Sequence, residues 1–216
     1  MISTPLAVRE PPMLARVPGR SRPRHRSCPG SQRLASAILV TLALSTAVLA
    51  QGESPPLEYQ VKAAFLYNFA KFVDWPPEVF RDPDAAFVIC VVDEEAFAQA
   101  LEQAVLGKTV NGRAFQVRRL SGPDEAGSCQ MLHLGAAASS RLTGPPKSIR
   151  GAPILTVGDD VGFARQGGII NFIIRDHRVG FEINPEAAGR AGLRISSKLL
   201  QLASIVRDEA RTEDAR

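Results

Sequence analysis

Apolar and polar positions change period several times along the chain. Between Glu58 and Val73 the residues Val61, Ala64, Phe65, Phe69, Phe72 and Val73 recur mostly three and four apart, which predicts a helix with one apolar stripe. Trp75-Pro76-Pro77 ends it, because proline disfavours helical geometry in the residue before it. Phe87 to Val92 is a continuous apolar run bounded by charge, as expected of a strand buried on both faces. Glu94 to Leu106 reads as a second helix closed by Gly107. Asn111-Gly112 is a turn signal ahead of a strand over Phe115–Leu120. Further strands are expected at Gln130–Leu134, Pro153–Val157, Gly168–Ile174 and Arg178–Ile183, the last two joined by Arg175-Asp176-His177 as an antiparallel hairpin. Asn184-Pro185 caps a helix to Ala191, and Ser196 or Ser197 opens another that runs to Arg207. The strand–helix alternation implies an α/β fold: one three-layer α/β/α domain with a mixed, mostly parallel sheet ending in an antiparallel hairpin.

The beginning of the chain follows a different pattern. Residues 1–33 carry seven arginines, one glutamate and six prolines without an apolar period. Leu34 to Ala50 is an uncharged apolar run that ends in small residues. A basic flank, an apolar region and a small-residue exit make a secretory signal, with cleavage expected after Ala50. The other reading is an uncleaved anchor, for which seventeen residues with four hydroxyl side chains are short of a span of about 20. Met13 is an alternative start to Met1. The expected organisation is therefore a signal over 1–50, a linker over 51–57, one domain over 58–207 and a charged tail over 208–216.

Export changes the meaning of charge and cysteine. The whole chain is +4, but residues 1–33 hold seven arginines against one glutamate, which leaves residues 51–216 at about −2. The basic character belongs to the signal and gives no case for nucleic-acid binding. Cys28 leaves with the signal, and Cys90 and Cys129 remain. Two cysteines in an oxidising compartment are expected to form a disulfide, the alternative being two buried free thiols.

Catalytic motifs do not assemble. Gly107-Lys108-Thr109 echoes the end of a phosphate loop, but Glu102 stands where that motif needs glycine, and the triplet ends a helix instead of opening one. Gly162, Gly167 and Gly168 lack the strand-to-helix context of a dinucleotide site. His133 falls in an expected strand, where a satisfied core histidine is the simpler reading. His177 sits in the hairpin turn, and neither histidine has an identifiable set of further metal ligands. No serine has the context of a nucleophile elbow. No catalytic, cofactor or metal residue is assigned, and no cofactor is expected. Glu182 lies between Phe181 and Ile183, so alternation points it away from them, to solvent or to a functional face.

Several blocks together resemble the YfiR/HmsC-like family: the aromatic opening VKAAFLYNFAKFVDWP, the strand FVICVVDE, LGKTVNGR, and the closing INFIIRDHRVGFEINPEAAGRAGLRISSKLLQLA. The resemblance covers residues 59–206, and the spacing of Cys90 and Cys129 is similar to that of a disulfide in that family. A second cysteine pair present in some members is missing here. The resemblance implies a periplasmic, non-enzymatic regulator. Such a protein binds the periplasmic sensor domain of an inner-membrane diguanylate cyclase and represses it, so that cyclic-di-GMP and biofilm output fall. A periplasmic small-molecule-binding sensor module stays open beside it, as does a homodimer. Glu182 in the closing block is the carboxylate expected at the partner surface. Most of the aromatic opening is expected to be core, whereas Tyr59, Leu66 and Tyr67 fall off the apolar stripe and are expected to face the partner. Lys62, Asn68, Lys71 and Asp74 interrupt the opening helix, so membrane insertion of the mature chain is not expected.

Overall fold

Helix α1 runs Leu57–Phe72, one residue ahead of the predicted bounds at each end. The computed structural model describes residues 55–142 and 144–209; the signal 1–50 with its cleavage point, residues 51–54 of the linker and 210–216 of the tail lie outside the described residues. The buried face of α1 is Lys62, Ala63, Leu66, Phe69 and Ala70, so the helix is rotated from the predicted stripe, and Ala64 is exposed. The stripe drawn from apolar residues alone excluded Lys62, whose charge is satisfied inside the fold. Phe65 reaches the same core from the flank, with its ring 5.2 Å from that of Phe181.

Strand β1 (Val73–Asp74) follows α1 and pairs antiparallel with β9 (Arg194–Ile195), which ties the end of α1 to the closing part of the domain. The main sheet contains β2 (Phe87–Val92), β3 (Thr109–Val110), β4 (Arg113–Leu120), β5 (Met131–Leu134), β6 (Leu155–Gly158), β7 (Ile170–Arg175), β8 (Arg178–Ile183) and β10 (Ser204–Ile205). Their order is β10-β8-β7-β6-β5-β2-β4-β3. Pairing is parallel from β4 through β2, β5 and β6 to β7, with antiparallel hairpins β3–β4 and β7–β8 near the two edges. This is one α/β domain with a mixed, mostly parallel sheet. β4 begins earlier than predicted because Asn111 and Gly112, both at positive φ, make a hairpin turn that recruits β3.

The helices are α2 (Glu95–Val105), α3 (Ala136–Ser139), α4 (Pro185–Arg190) and α5 (Ser197–Leu200). One sheet face packs Ile89, Val91, Met131, Leu155, Val157, Phe172 and Phe181 into the core that contains α1 and α2. The other packs Cys90, Val92, Leu132 and Leu134 with Ala126, Ile149, Ile154 and Phe163, so short turns cover it instead of long helices. The Cys90–Cys129 disulfide lies in this second core, with Cα atoms 6.0 Å apart and a sequence separation of 39.

The predicted helix over 197–207 is corrected. α5 stops at Leu200, and Ser204–Ile205 form β10, parallel to β8. The free edge of β8 offers backbone partners, and Val206 N–H donates to Ile183 C=O at 2.9 Å. Those bonds outweigh the local helical pattern.

Candidate functional site

At the centre of the parallel sheet the chain order reverses, because β4 lies on one side of β2 and β5 and β6 on the other. Crevices at the carboxyl ends of strands around such a switch point are where open α/β sheets place their sites. Three polar residues converge there. Glu94 follows β2, His133 lies on β5 and Asp159 follows β6, and one ligand atom from each lies within 4.8 Å of the others. β5 places His133 on the same face as Met131, beneath the helices, where its ring stands 4.2 Å from that of Phe97.

α1 supplies the rest of the cluster. Lys62 Nζ is 2.5 Å from both Glu58 Oε1 and Asp159 Oδ2, and its side chain is only 2 % exposed. Burial works against its charge, but the bonds to Asp159 and Glu58 outweigh it and hold the ammonium above its ordinary range. Burial raises the Asp159 and Glu94 carboxyls. Burial, then the neighbouring Glu94, pushes the Tyr59 phenol up to about 12. His133 is fully buried, and burial followed by the nearby Lys62 charge drives it down to about 3, so it is a neutral imidazole. Neither ring nitrogen has a hydrogen-bond partner; Nδ1 stands 3.6 Å from Glu94 Oε2, which also has none. His133 is therefore a core histidine as expected, but not a satisfied one.

The partner-facing residues expected from the sequence do not form one surface. Tyr59 is half-buried in the cluster, edge-on to Phe97 at 5.7 Å. Leu66 is completely buried and cannot face a partner, because the rotation of α1 places it on the sheet side. Tyr67 is half-buried towards the opposite sheet edge, edge-on to Phe115, with the ammonium groups of Lys71 and Lys108 at 5.3 and 4.6 Å from its ring. Glu182 does point away from Phe181 and Ile183, but it is buried, not exposed. β10 pairs beside it, and Arg165 and Arg175 bring guanidinium nitrogens to 3.6 and 3.9 Å. The sequence reading missed Lys62, Glu94 and Asp159. The available signal was topological: Glu94 and Asp159 each follow a strand of the parallel sheet.

Residues 59–204 match the family model described as YfiR/HmsC-like. The chain belongs to the YfiR/HmsC-like family. Membership carries the general role of that family, regulation of diguanylate cyclase signalling from the periplasm. Among the described residues no helix is long and apolar enough to cross a membrane.

Two further features bear on how a YfiR/HmsC-like protein could act. The closing region exposes large apolar side chains: Ile174 at 56 %, Leu202 at 74 % and Ile205 at 52 %. β10, the strand that holds Ile205, pairs only with β8 among the described residues. Next to Glu182, a cleft of about 1060 Å³ has an apolar lining of Ile149, Ile154, Ile169 and Ala187, with Thr156, Arg150, Arg165, Arg190, Asp208 and Glu209 around it.

Proposed function

We propose that this protein, exported and cleaved after Ala50, binds the periplasmic sensor domain of an inner-membrane diguanylate cyclase and holds the enzyme inactive, which lowers cyclic-di-GMP and biofilm output. The observation that supports a docking role is the exposed apolar pair Leu202 and Ile205 at the edge strand β10, with Ile174 exposed further along the β7–β8 hairpin. A strand edge with unpaired backbone groups and large apolar side chains is a ready surface for another chain. Arg175, with its side chain 67 % exposed, adds positive charge to the same hairpin. In this reading Glu182 contributes by holding Arg165 and Arg175 in place, while Tyr59 and Tyr67 lie outside the contact. Repression then requires differential affinity. Moving a cyclase from 99 % active to 99 % inactive takes about 5.5 kcal/mol of preference for the inactive state.

The test is binding of purified Leu202→Glu and Ile205→Glu to the isolated sensor domain, alongside thermal melting. Each substitution is expected to weaken binding by about tenfold or more while melting stays near wild type. Unchanged affinity in both would remove the β10 edge from the interface. Sedimentation of the same variants reports whether the edge serves a homodimer instead. Intact mass of native protein beginning at Gln51 checks the export step.

A second reading, a small-molecule sensor module, is favoured by the apolar cleft, where Arg150 stands beside the acid-paired Arg165 and Arg190. A thermal-shift series with small aromatic and aliphatic carboxylates tests it; no shift from any of them would count against this reading.

A further inference from the structure

We propose that Glu94, His133 and Asp159 form a binding site for a divalent first-row transition ion, Zn²⁺ in the first instance. The inference starts from what the fold leaves unmet. Lys62 satisfies Glu58 and Asp159, but Glu94 Oε2 and both ring nitrogens of the fully buried His133 have no hydrogen-bond partner. Buried polar atoms without partners are costly, and such cases in a folded protein call for an explanation. Two of these atoms, His133 Nδ1 and Glu94 Oε2, stand 3.6 Å apart, while the Tyr59 hydroxyl donates to the Glu94 carboxyl.

Charge and geometry lead to the same ion class. Three carboxylates, Glu58, Glu94 and Asp159, surround a single ammonium, so the cluster is short of positive charge. A divalent ion between His133 Nδ1, Glu94 Oε2 and the Asp159 carboxylate would supply it. Tetrahedral donors at about 2.0–2.2 Å stand about 3.3–3.6 Å apart, close to the 3.6 Å between His133 Nδ1 and Glu94 Oε2. The ligand atoms lie within 4.8 Å of one another, so rotation of the two carboxylates closes the remaining gap. The imidazole donor selects against Ca²⁺ and Mg²⁺, which take oxygen, and the mixed nitrogen and oxygen set suits Zn²⁺, Co²⁺ or Ni²⁺. Ion entry is provided for, because the Glu94 and Asp159 side chains are 14 % and 13 % exposed while His133 forms the closed floor. Three protein donors leave a position for water. Lys62 keeps its bond to Glu58.

The experiment uses the full chain exported through its own signal and purified from the periplasm without a polyhistidine tag. The protein is stripped with EDTA, equilibrated with Zn²⁺, dialysed and analysed for metal. A Co²⁺ titration followed by visible absorption reads the donor set directly. Wild type is expected to retain Zn²⁺ stoichiometrically, and Glu94→Gln and His133→Leu to lose about tenfold or more in affinity. His133→Leu keeps an apolar side chain in the core and removes the orphaned nitrogens, so in EDTA it should melt at or above wild type. That separates loss of a ligand from loss of the fold. Wild type that retains no Zn²⁺, or His133→Leu that retains it as wild type does, would overturn the site. Retention of Ca²⁺ in preference to Zn²⁺ would overturn the donor assignment.

Discussion

Replacing Lys62 with Met isolates the electrostatic work of the buried cluster. Met keeps most of the aliphatic volume, so the packing change is small. The charge change is large. Lys62 Nζ lies 2.5 Å from Glu58 Oε1 and from Asp159 Oδ2, and the Asp159 side chain is only 13 % exposed. Breaking a buried pair by removing one partner costs about 3–5 kcal/mol, because the other charge is left uncompensated. For a domain of this size that corresponds to a fall in melting temperature of about 6–20 °C. The pH dependence has a definite sign. Burial already raises the Asp159 and Glu94 carboxyls, so the folded state holds their protons to higher pH than the unfolded chain, and stability falls as pH rises through that window. Lys62 pulls both groups back down; without it the window extends further upward. The deficit of Lys62→Met should therefore shrink as pH falls and the carboxyls protonate. Adding Asp159→Asn to Lys62→Met should recover part of the loss at pH 7, since the orphaned charge is gone. Urea unfolding of the three proteins in EDTA across that range makes the comparison. A deficit below about 1 kcal/mol at pH 7, or a double variant no better than the single, would refute the cluster as an interdependent charge network.

Other perturbations probe the rest of the fold. Replacing Cys90 and Cys129 with alanine should cost about 4 kcal/mol for a loop of 39 residues, read by urea unfolding, while alkylation and intact mass of native protein should find no free thiol in the pair. Asn184→Ala should cost roughly 2–4 kcal/mol, because its buried side chain accepts from Ala187 N–H at 3.0 Å to cap α4 and donates to Ala164 C=O at 2.8 Å. Glu182→Lys should lower stability by about 3–5 kcal/mol, since it places a buried ammonium between Arg165 and Arg175, and thermal melting checks it; a variant that melts like wild type would show that Glu182 is solvated.

Much of the domain was legible because its elements carry unmixed patterns. β2 is six apolar residues bounded by charge, and β8 matches its predicted bounds of Arg178–Ile183. α4 was announced by Asn184-Pro185, and the structure shows that cap in place. The rotation of α1 was not legible. Lys62 occupies a core position, and no periodic count assigns a lysine to the core without knowing that Asp159, 97 residues later, returns to meet it. The cluster was hidden for the same reason. Its members come from α1, from β5 and from the residues after β2 and β6, and strand order alone brings them together.

Glu182 shows the limit from the other direction. Alternation along β8 gave its direction correctly, but direction is not exposure. What covers it comes from elsewhere: β10 from a segment whose pattern looked helical, and Arg165 from the loop before β7. The consequence for function is specific. A buried carboxylate between two guanidinium groups cannot itself attract a basic partner, but it can fix where those guanidinium groups stand. Arg165 and Arg175 remain 43 % and 67 % exposed on the sheet face of Glu182, whereas Ile205, level with Ile183, lies on the other face. The charge that the closing region offers a partner is thus positive, opposite to the sign read from Glu182 alone. In the proposed complex, an acidic patch on the sensor would be the complement of this charge. Arg175→Glu should weaken sensor binding more strongly at low salt than at high salt, whereas the same loss at both would mean that the contact is apolar and the arginine a bystander.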